Sequence, residues 1–212
     1  MAISAPEARL EAGWPDLPSW LDFLIEIDVD TVQIREKTWD GNATVLPDAL
    51  HLYEATVQAV DHVADRLTVI VNGRADIAHA AGAHGVHLTS SSLPVDTIKT
   101  HFPELRVGRS THTPAEILAA REQGADYVTF SPIFATPSKA AHGDPQGISR
   151  LREAVELDLP VLGLGGIEPG NVAEICRLAA GCAAIRTFHD PREARVMVKN
   201  ARQTETVPQG DS

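Results

Sequence analysis

Within residues 67–108 three short apolar runs, Leu67-Thr68-Val69-Ile70-Val71, His84-Gly85-Val86-His87-Leu88 and Leu105-Arg106-Val107-Gly108, are separated by two amphipathic stretches. Runs of this length, rich in valine and isoleucine, read as strands, and each stretch between them is long enough for a helix. Strand, helix and strand in succession form a parallel crossover unit, because parallel neighbours need a connection of about a dozen residues or more. The same alternation extends outward in both directions. Toward the N-terminus, Leu52, Ala55, Val57, Ala59, Val60 and Val63 recur at helical spacing behind a strand at Thr31 to Arg35. Toward the C-terminus, a helix carrying Ile117, Leu118 and Arg121 stops at Gly124, and strands follow at Asp126 to Phe130, Pro160 to Leu164 and Cys182 to Arg186. These seven strands, with a weaker one at Ala2 to Ser4, predict an α/β fold within 212 residues. The expected architecture is a (β/α)8 TIM barrel in a single domain over residues 1–202. Trp14 to Pro18 reads as a loop entering the first helix, and Gln203 to Ser212, rich in charge and turn residues, as a disordered tail. An open doubly wound sheet would carry G-x-G-x-x-G after an early strand, and the chain has none.

Lys and Arg number 18 against 29 Asp and Glu, a net charge of −11 that opposes binding to nucleic acid and to anionic membrane surfaces. The two cysteines, Cys176 and Cys182, form neither a disulfide framework nor a C-x-x-C motif, so a reducing cytoplasm is expected. No run of about 18 apolar residues occurs, and Met1 to Leu10 lacks the charged and apolar regions of a signal peptide. Neither a membrane span nor export is expected.

In a parallel barrel, chemistry belongs at the C-terminal ends of the strands. The two-residue period of the strand turns Gln33 and Arg35 into the barrel and Val32 and Ile34 toward the helices, with Lys37 just beyond. The inward pair reads as a ligand set or as part of an internal Arg–Glu pair closing the barrel. Asn72 can hydrogen-bond a polar heterocycle, although Asn72-Gly73 also fits a simple turn. Thr113, Pro114 and Glu116 fit N-cap, N1 and N3 of a helix and fix His112 between strand end and helix start. There the helix N-terminus disfavours its protonation, a setting for proton transfer near neutral pH or merely for a hydrogen bond to the loop. Gly165 and Gly166 after one strand, and Arg186 and Thr187 after the next, suggest a phosphate site, with glycines needed only for packing as the other reading. The longest connection, Ser131 to Gly147, offers Thr136, Ser138 and Lys139 to an anion as a lid, or is a plain surface loop. His84 and His87 face opposite sides of one strand, and no His/Cys/Asp cluster matches a zinc site. His51 and His62 fall on a long helix, and the histidines other than His112 read as surface or packing residues.

Several blocks then match one family in order and spacing: Val32-Gln-Ile-Arg-Glu-Lys37, Val71-Asn72, Gly85-Val-His-Leu88, Ser110-Thr-His-Thr113, Ala125-Asp-Tyr-Val128, Pro132-Ile-Phe134, Thr136-Pro-Ser-Lys139 and Gly165-Gly-Ile167. From Ala2 to about Arg202 the chain resembles the thiamine phosphate synthase/TenI superfamily, which implies a (β/α)8 barrel. Its synthases join a pyrimidine pyrophosphate to a thiazole phosphate with magnesium, held by an aspartate directly after the matching asparagine and another in an acidic turn after the next strand. Here Gly73 follows Asn72, and the turn Thr89-Ser90-Ser91-Ser92-Leu93-Pro94 has no carboxylate. Asn72 to Ala78 and the stretch from Phe102 to Ser110 are more similar to the TenI branch, associated with thiazole tautomerase activity. That resemblance implies an isomerase that aromatises a carboxythiazole phosphate tautomer, with His112 moving the proton and neither metal nor other cofactor needed. Gly165, Gly166, Arg186 and Thr187 would then bind phosphate, and Gln33, Arg35, Lys37, Asn72, Ser110, Thr136, Ser138 and Lys139 the rest of the substrate. Arg35 and Lys37 would take its carboxylate or have no present role. The alternatives are a synthase whose magnesium is held by substrate pyrophosphate and water, and a non-catalytic thiamine-pathway binder or regulator. The expected partner is a small thiazole phosphate, without nucleic acid or membrane, and a homo-oligomer is compatible with the sequence.

Overall fold

A computed structural model describes residues 1–36, 38–39, 44–45, 49–136 and 144–204. The first half of the chain runs β1 (Ala2–Ile3), α1 (Pro6–Glu11), α2 (Leu17–Glu26), β2 (Thr31–Ile34), β3 (Thr38–Trp39), β4 (Thr44–Val45), α3 (Ala49–Val63), β5 (Thr68–Asn72), α4 (Ala75–Ala80), β6 (Gly85–Leu88) and α5 (Val95–His101). The second half runs β7 (Arg106–Thr111), α6 (Pro114–Glu122), β8 (Tyr127–Phe130), α7 (Gly147–Val155), β9 (Val161–Leu164), α8 (Val172–Leu178), β10 (Gly181–Ala183), a 3₁₀ turn (Arg186–Phe188) and α9 (Pro191–Arg202).

Eight strands lie side by side in the order β1-β2-β5-β6-β7-β8-β9-β10, and every pairing among them is parallel. A parallel bridge between Ala2 and Ala184 joins the two ends. At that seam Ile3 N–H donates to Ala184 O at 3.0 Å and Ala184 N–H to Met1 O at 3.2 Å. The sheet is therefore a barrel, as the alternation of apolar runs predicts. β1 is only two residues long, yet it pairs with β2 on one side and bridges to Ala184 on the other. Closure of this kind removes the exposed edges that an open sheet would leave.

Strand parity sorts the core. Val32, Ile34, Val69, Val71, Val86 and Val107 are fully buried on the helix-facing side. The alternate positions Gln33, His87 and Thr129 are also buried but face inward. Helix starts follow local chemistry: Asp16 accepts from Ser19 N–H, and Asp190 accepts from Arg192 and Glu193 N–H, each with proline in the first turn. Several elements depart from expectation. α1 occupies Pro6–Glu11, where no helix is predicted. β7 runs on to Thr111 because Gly108 to Thr111 stay in register with Tyr127 to Phe130. β10 ends at Ala183, and the 3₁₀ turn takes over where Arg186 was expected to finish the strand. Among the described residues no helix is long and apolar enough to cross a membrane.

Candidate active site

At the C-terminal ends of β2 and β5 the inward side chains meet. Gln33, 2% exposed, accepts from Asn72 Nδ2 at 3.0 Å through Oε1. Asn72 Oδ1 is buried with no hydrogen-bond partner in the structure, an acceptor left facing the site. Arg35 ends the strand half-buried; burial lowers the pKa of its guanidinium, and no carboxylate among the described residues pairs with it. The Arg–Glu pair considered from sequence does exist, but with another arginine. Glu36, 3% exposed, accepts from Arg9 Nη1 and Nη2 at 2.9 and 3.1 Å and from Ser4 Oγ at 2.7 Å. Arg9 on α1 thus neutralises Glu36 and leaves Arg35 uncompensated among the described residues, which is the setting of an anion receptor.

Across the barrel, His87 on β6 is 3% exposed, and its Nε2 lies 2.9 Å from Ser110 Oγ and 3.4 Å from Thr129 Oγ1. Its Nδ1 lies 3.2 Å from Tyr127 OH. Burial, reinforced by the Arg109 charge, pulls its pKa down to about 4, so the ring is neutral near pH 7. The sequence reads His87 as a surface or packing residue and gives Tyr127 no role beyond its strand; the inward parity of His87, two positions after Gly85, is the available signal. His112 follows β7 as expected, and the capping box is present: Glu116 N–H donates to Thr113 Oγ1 and Thr113 N–H to Glu116 Oε2. Its Nδ1–H donates to Ser131 O at 2.7 Å, which fixes the ring's orientation beside the strand end.

The loops after β9 and β10 supply backbone donors. Gly165 and Gly166 both have positive φ, +96° and +65°. A Cβ on Gly165 would lie 2.9 Å from Pro132, and one on Gly166 would lie 2.7 Å from Phe134 Cβ, so packing alone already requires both glycines. Gly166, Ile167, Arg186 and Thr187 have no acceptor for their backbone N–H among the described residues. Thr187 Oγ1 donates to Ile167 O at 3.0 Å and ties the two loops together instead of pointing a hydroxyl outward. Arg186 Nη2 donates to Thr136 Oγ1 at 3.2 Å, bringing two of the expected anion donors together. Lys37, Ser138 and Lys139 lie outside the described residues.

Fold and side-chain placement together define a closed (β/α)8 barrel with amide, guanidinium and free N–H groups at the C-terminal face, the arrangement of barrel proteins that handle small anionic ligands. The chain belongs to the thiamine monophosphate synthase family, whose sequence model matches residues 3–188. A putative thiamine-phosphate synthase of Geobacter sulfurreducens is 39% identical over 193 residues, 87% of this chain and 86% of the relative. A thiamine-phosphate synthase of Mycobacterium bovis is 33% identical over 205 residues, 92% of this chain and 91% of the relative. Among solved structures, a thiamine phosphate pyrophosphorylase from Pyrococcus furiosus matches with a TM-score of 0.79 at 23% identity, covering 96% of this chain and 95% of that one. At that identity the structural match speaks for the barrel alone.

These relatives correct the expected activity. They are named as synthases, which are transferases, and match between 73% and 92% of the chain, so the tautomerase expectation fails and with it the isomerase class. The proton-shuttle role given to His112 falls with that reaction. Two missing carboxylates and two short TenI-like stretches say less about the reaction than the likeness of most of the chain.

Those carboxylates are absent from the folded site too. A Cβ on Gly73 would lie 3.9 Å from Ser92 Oγ, so Gly73 and this serine of the turn, where the family resemblance leads one to expect carboxylates, face one another. Ser92 Oγ accepts from Thr89 N–H at 2.9 Å, and the nearby carboxylate of Asp76 is paired with Arg74 at 2.6 Å. Among the described residues no group of three or more His, Cys, Asp or Glu could hold a metal ion. Neutral oxygens alone do not offset the dehydration of magnesium, so the side chains here do not fit a carboxylate-held magnesium. Gly73→Asp with Ser92→Asp is therefore expected to bind magnesium at least about tenfold tighter than the parent, measured by calorimetry without substrate. Equal affinity would mean that the two positions do not converge on one ion. Aspartate at φ +73° costs backbone strain, but nothing but Ser92 stands within 4 Å.

Proposed function

We propose that the protein is a thiamine-phosphate synthase, a transferase that joins a pyrimidine pyrophosphate to a thiazole phosphate and releases pyrophosphate. The observation that carries this reading is the uncompensated Arg35 guanidinium beside the Gln33–Asn72 amide pair. A half-buried arginine without a carboxylate suits a multiply charged oxyanion, and a planar fork suits one with two oxygens side by side. Asn72 Oδ1, buried and unpaired, would accept a hydrogen bond from the pyrimidine substrate. The thiazole phosphate would sit against the N–H groups of Gly166, Ile167, Arg186 and Thr187, with Arg186 and Thr136 at its edge and Gly165 shaping the loop. Lys37, Ser138 and Lys139 are further candidates to contact either anion.

As the bond to pyrophosphate breaks, negative charge grows on the departing oxygens. Arg35 and the Ser110 hydroxyl would stabilise that charge from fixed positions, without reorganising at the moment of reaction. His112, held by Ser131 O through Nδ1, would shape the wall between them. The setting is a reducing cytoplasm.

The test is direct. Purified protein given both substrates is expected to form thiamine phosphate, detected after oxidation to its fluorescent product, with one pyrophosphate released for each product molecule. Absence of product across a magnesium titration would overturn the reading. The non-catalytic binder would then be supported if the thiazole phosphate still bound.

A further inference from the structure

We propose that Tyr127 and His87 form a hydrogen-bond relay inside the barrel that holds the Ser110 hydroxyl as a donor, aimed at an oxyanion of the substrate. Both are positioning residues, and Ser110 is the group that touches the ligand. The inference rests on the synthase reading for the ligand's identity, though not for the state of the relay itself.

The argument is a count of protons. Burial and the neighbouring Asp126 raise the Tyr127 pKa, so the phenol keeps its proton. A neutral imidazole offers one donor and one acceptor. Burial keeps His87 neutral, so each of its two contacts must have a direction. A phenol O–H is a good donor and its ring-conjugated oxygen a weak acceptor, whereas the bare imidazole nitrogen is a strong acceptor. Tyr127 therefore donates to Nδ1 across 3.2 Å, which places the ring proton on Nε2. Nε2–H then donates to Ser110 Oγ at 2.9 Å, with Thr129 Oγ1 at 3.4 Å as a weaker second acceptor.

Ser110 now accepts from below and must send its own proton elsewhere. Among the described residues no acceptor for it is recorded. Ser110 is partly exposed at the end of β7, so that proton faces the substrate space. The opposite polarity would leave the proton of the half-buried Tyr127 hydroxyl without a recorded acceptor among the described residues, which is the costlier arrangement.

The barrel is shaped to hold this relay. Gly108 lies opposite His87 in the β6–β7 register. A Cβ at Gly108 would lie 2.2 Å from Tyr127 Cζ and 2.5 Å from its hydroxyl oxygen, so only glycine admits the tyrosine ring here. The His87 and Tyr127 rings lie 5.6 Å apart between centroids. Four inward positions on three consecutive strands thus serve one hydroxyl. A Ser110 locked as donor favours a ligand oxyanion and disfavours a ligand N–H at the same place, which selects a leaving group of the phosphate class.

Nitrogen-15 NMR of the imidazoles, with His87 assigned by its loss in His87→Gln, reads the relay without substrate. The expected result near neutral pH is a pyridine-type Nδ1 and a pyrrole-type Nε2; the reverse pattern or an imidazolium would overturn the proposal. Tyr127→Phe is expected to shift His87 toward a mixture of tautomers and to lower kcat about tenfold with KM little changed. Ser110→Ala is expected to lower kcat about 100-fold. Adding Tyr127→Phe to Ser110→Ala should then cost nothing more, because the relay acts only through that hydroxyl. Additive losses would overturn the relay and leave Tyr127 a packing residue. If the wild-type protein forms no thiamine phosphate, the synthase reading fails by itself. The relay is then decided by the NMR pattern and by inorganic pyrophosphate binding, which the two substitutions should weaken without additivity.

Discussion

Arg35→Ala is expected to lower kcat/KM for thiamine phosphate formation by about 10²- to 10³-fold, the range typical of removing one preorganised group that stabilises developing negative charge. The guanidinium sits half-buried at the end of β2, where lowered hydration strengthens its attraction to an anion. Arg35→Lys should recover little of the loss, because an ammonium cannot present two parallel N–H groups to neighbouring oxygens. Folding should be nearly unaffected, since no carboxylate among the described residues pairs with Arg35. Arg9→Ala provides the contrast. It leaves Glu36, 3% exposed, with Ser4 Oγ as its one recorded side-chain partner, and an unpaired buried charge costs about 3–5 kcal/mol. The two arginines are thus separable by one experiment: urea unfolding should move for Arg9→Ala, and steady-state kinetics for Arg35→Ala. If Arg35→Ala retains wild-type kcat/KM, the anion site lies elsewhere on the rim.

The strands were legible because most helix-facing positions are aliphatic, as in Val69 and Val71 or Val86 and Leu88. The two-residue β1 was legible for a topological reason, since seven parallel strands need an eighth to close. What escaped was whatever depended on polar residues in regular structure. Arg109 to Thr111 extend β7 although their side chains break the apolar run. The β3–β4 hairpin was missed although Asp40-Gly41 between β-forming residues is a hairpin signal. α1 has no buried residue, so its sequence carries no core-facing stripe to recognise.

The candidate site divides in the same way. Gln33, Arg35 and Asn72 followed from strand parity and meet as expected. The partner of Glu36 could not be read, because Arg9 is 27 positions away and reaches it only after β1 and β2 pair. His87 reads from sequence as a surface or packing residue, and only its distance to Ser110 shows otherwise; Tyr127 carries no signal beyond its place in a strand. Two backbone positions that lack a carboxylate are visible in sequence, but they describe how an ion would be held, not which bond is made. This is why Gly73 and Ser92 misled the reading of the reaction.

The second large effect is on stability in acid. His87 and His189 both have pKa values lowered from 6.5 to about 4, in each case first by burial; the Arg109 charge adds to it at His87 and the Arg9 charge at His189. His189 is 1% exposed and stacks on Trp20 at 4.7 Å, and neither ring nitrogen has a hydrogen-bond partner. The backbone of Ile3 and the charge of Glu36 favour its protonated form, but they do not overcome burial. Above about pH 6.5 both rings are neutral in the folded and the unfolded chain, so stability there does not depend on them. Between about pH 6.5 and pH 4 the unfolded chain binds two protons that the folded chain refuses, so stability falls as pH falls. Each shift corresponds to about 3 kcal/mol once the pH is below the folded value, and two such losses rival the 5–15 kcal/mol that holds a typical domain folded. His189→Phe separates this cause from acidic groups. Phenylalanine keeps the stack on Trp20, removes two unpaired nitrogens from the core and cannot titrate. Urea unfolding at about pH 7.5 should show little change or a gain, whereas the slope of stability against pH between about 6.5 and 4.5 should fall to roughly half. An unchanged slope would mean that His189 is already protonated in the folded chain, and that Glu36 compensates the charge that burial should exclude.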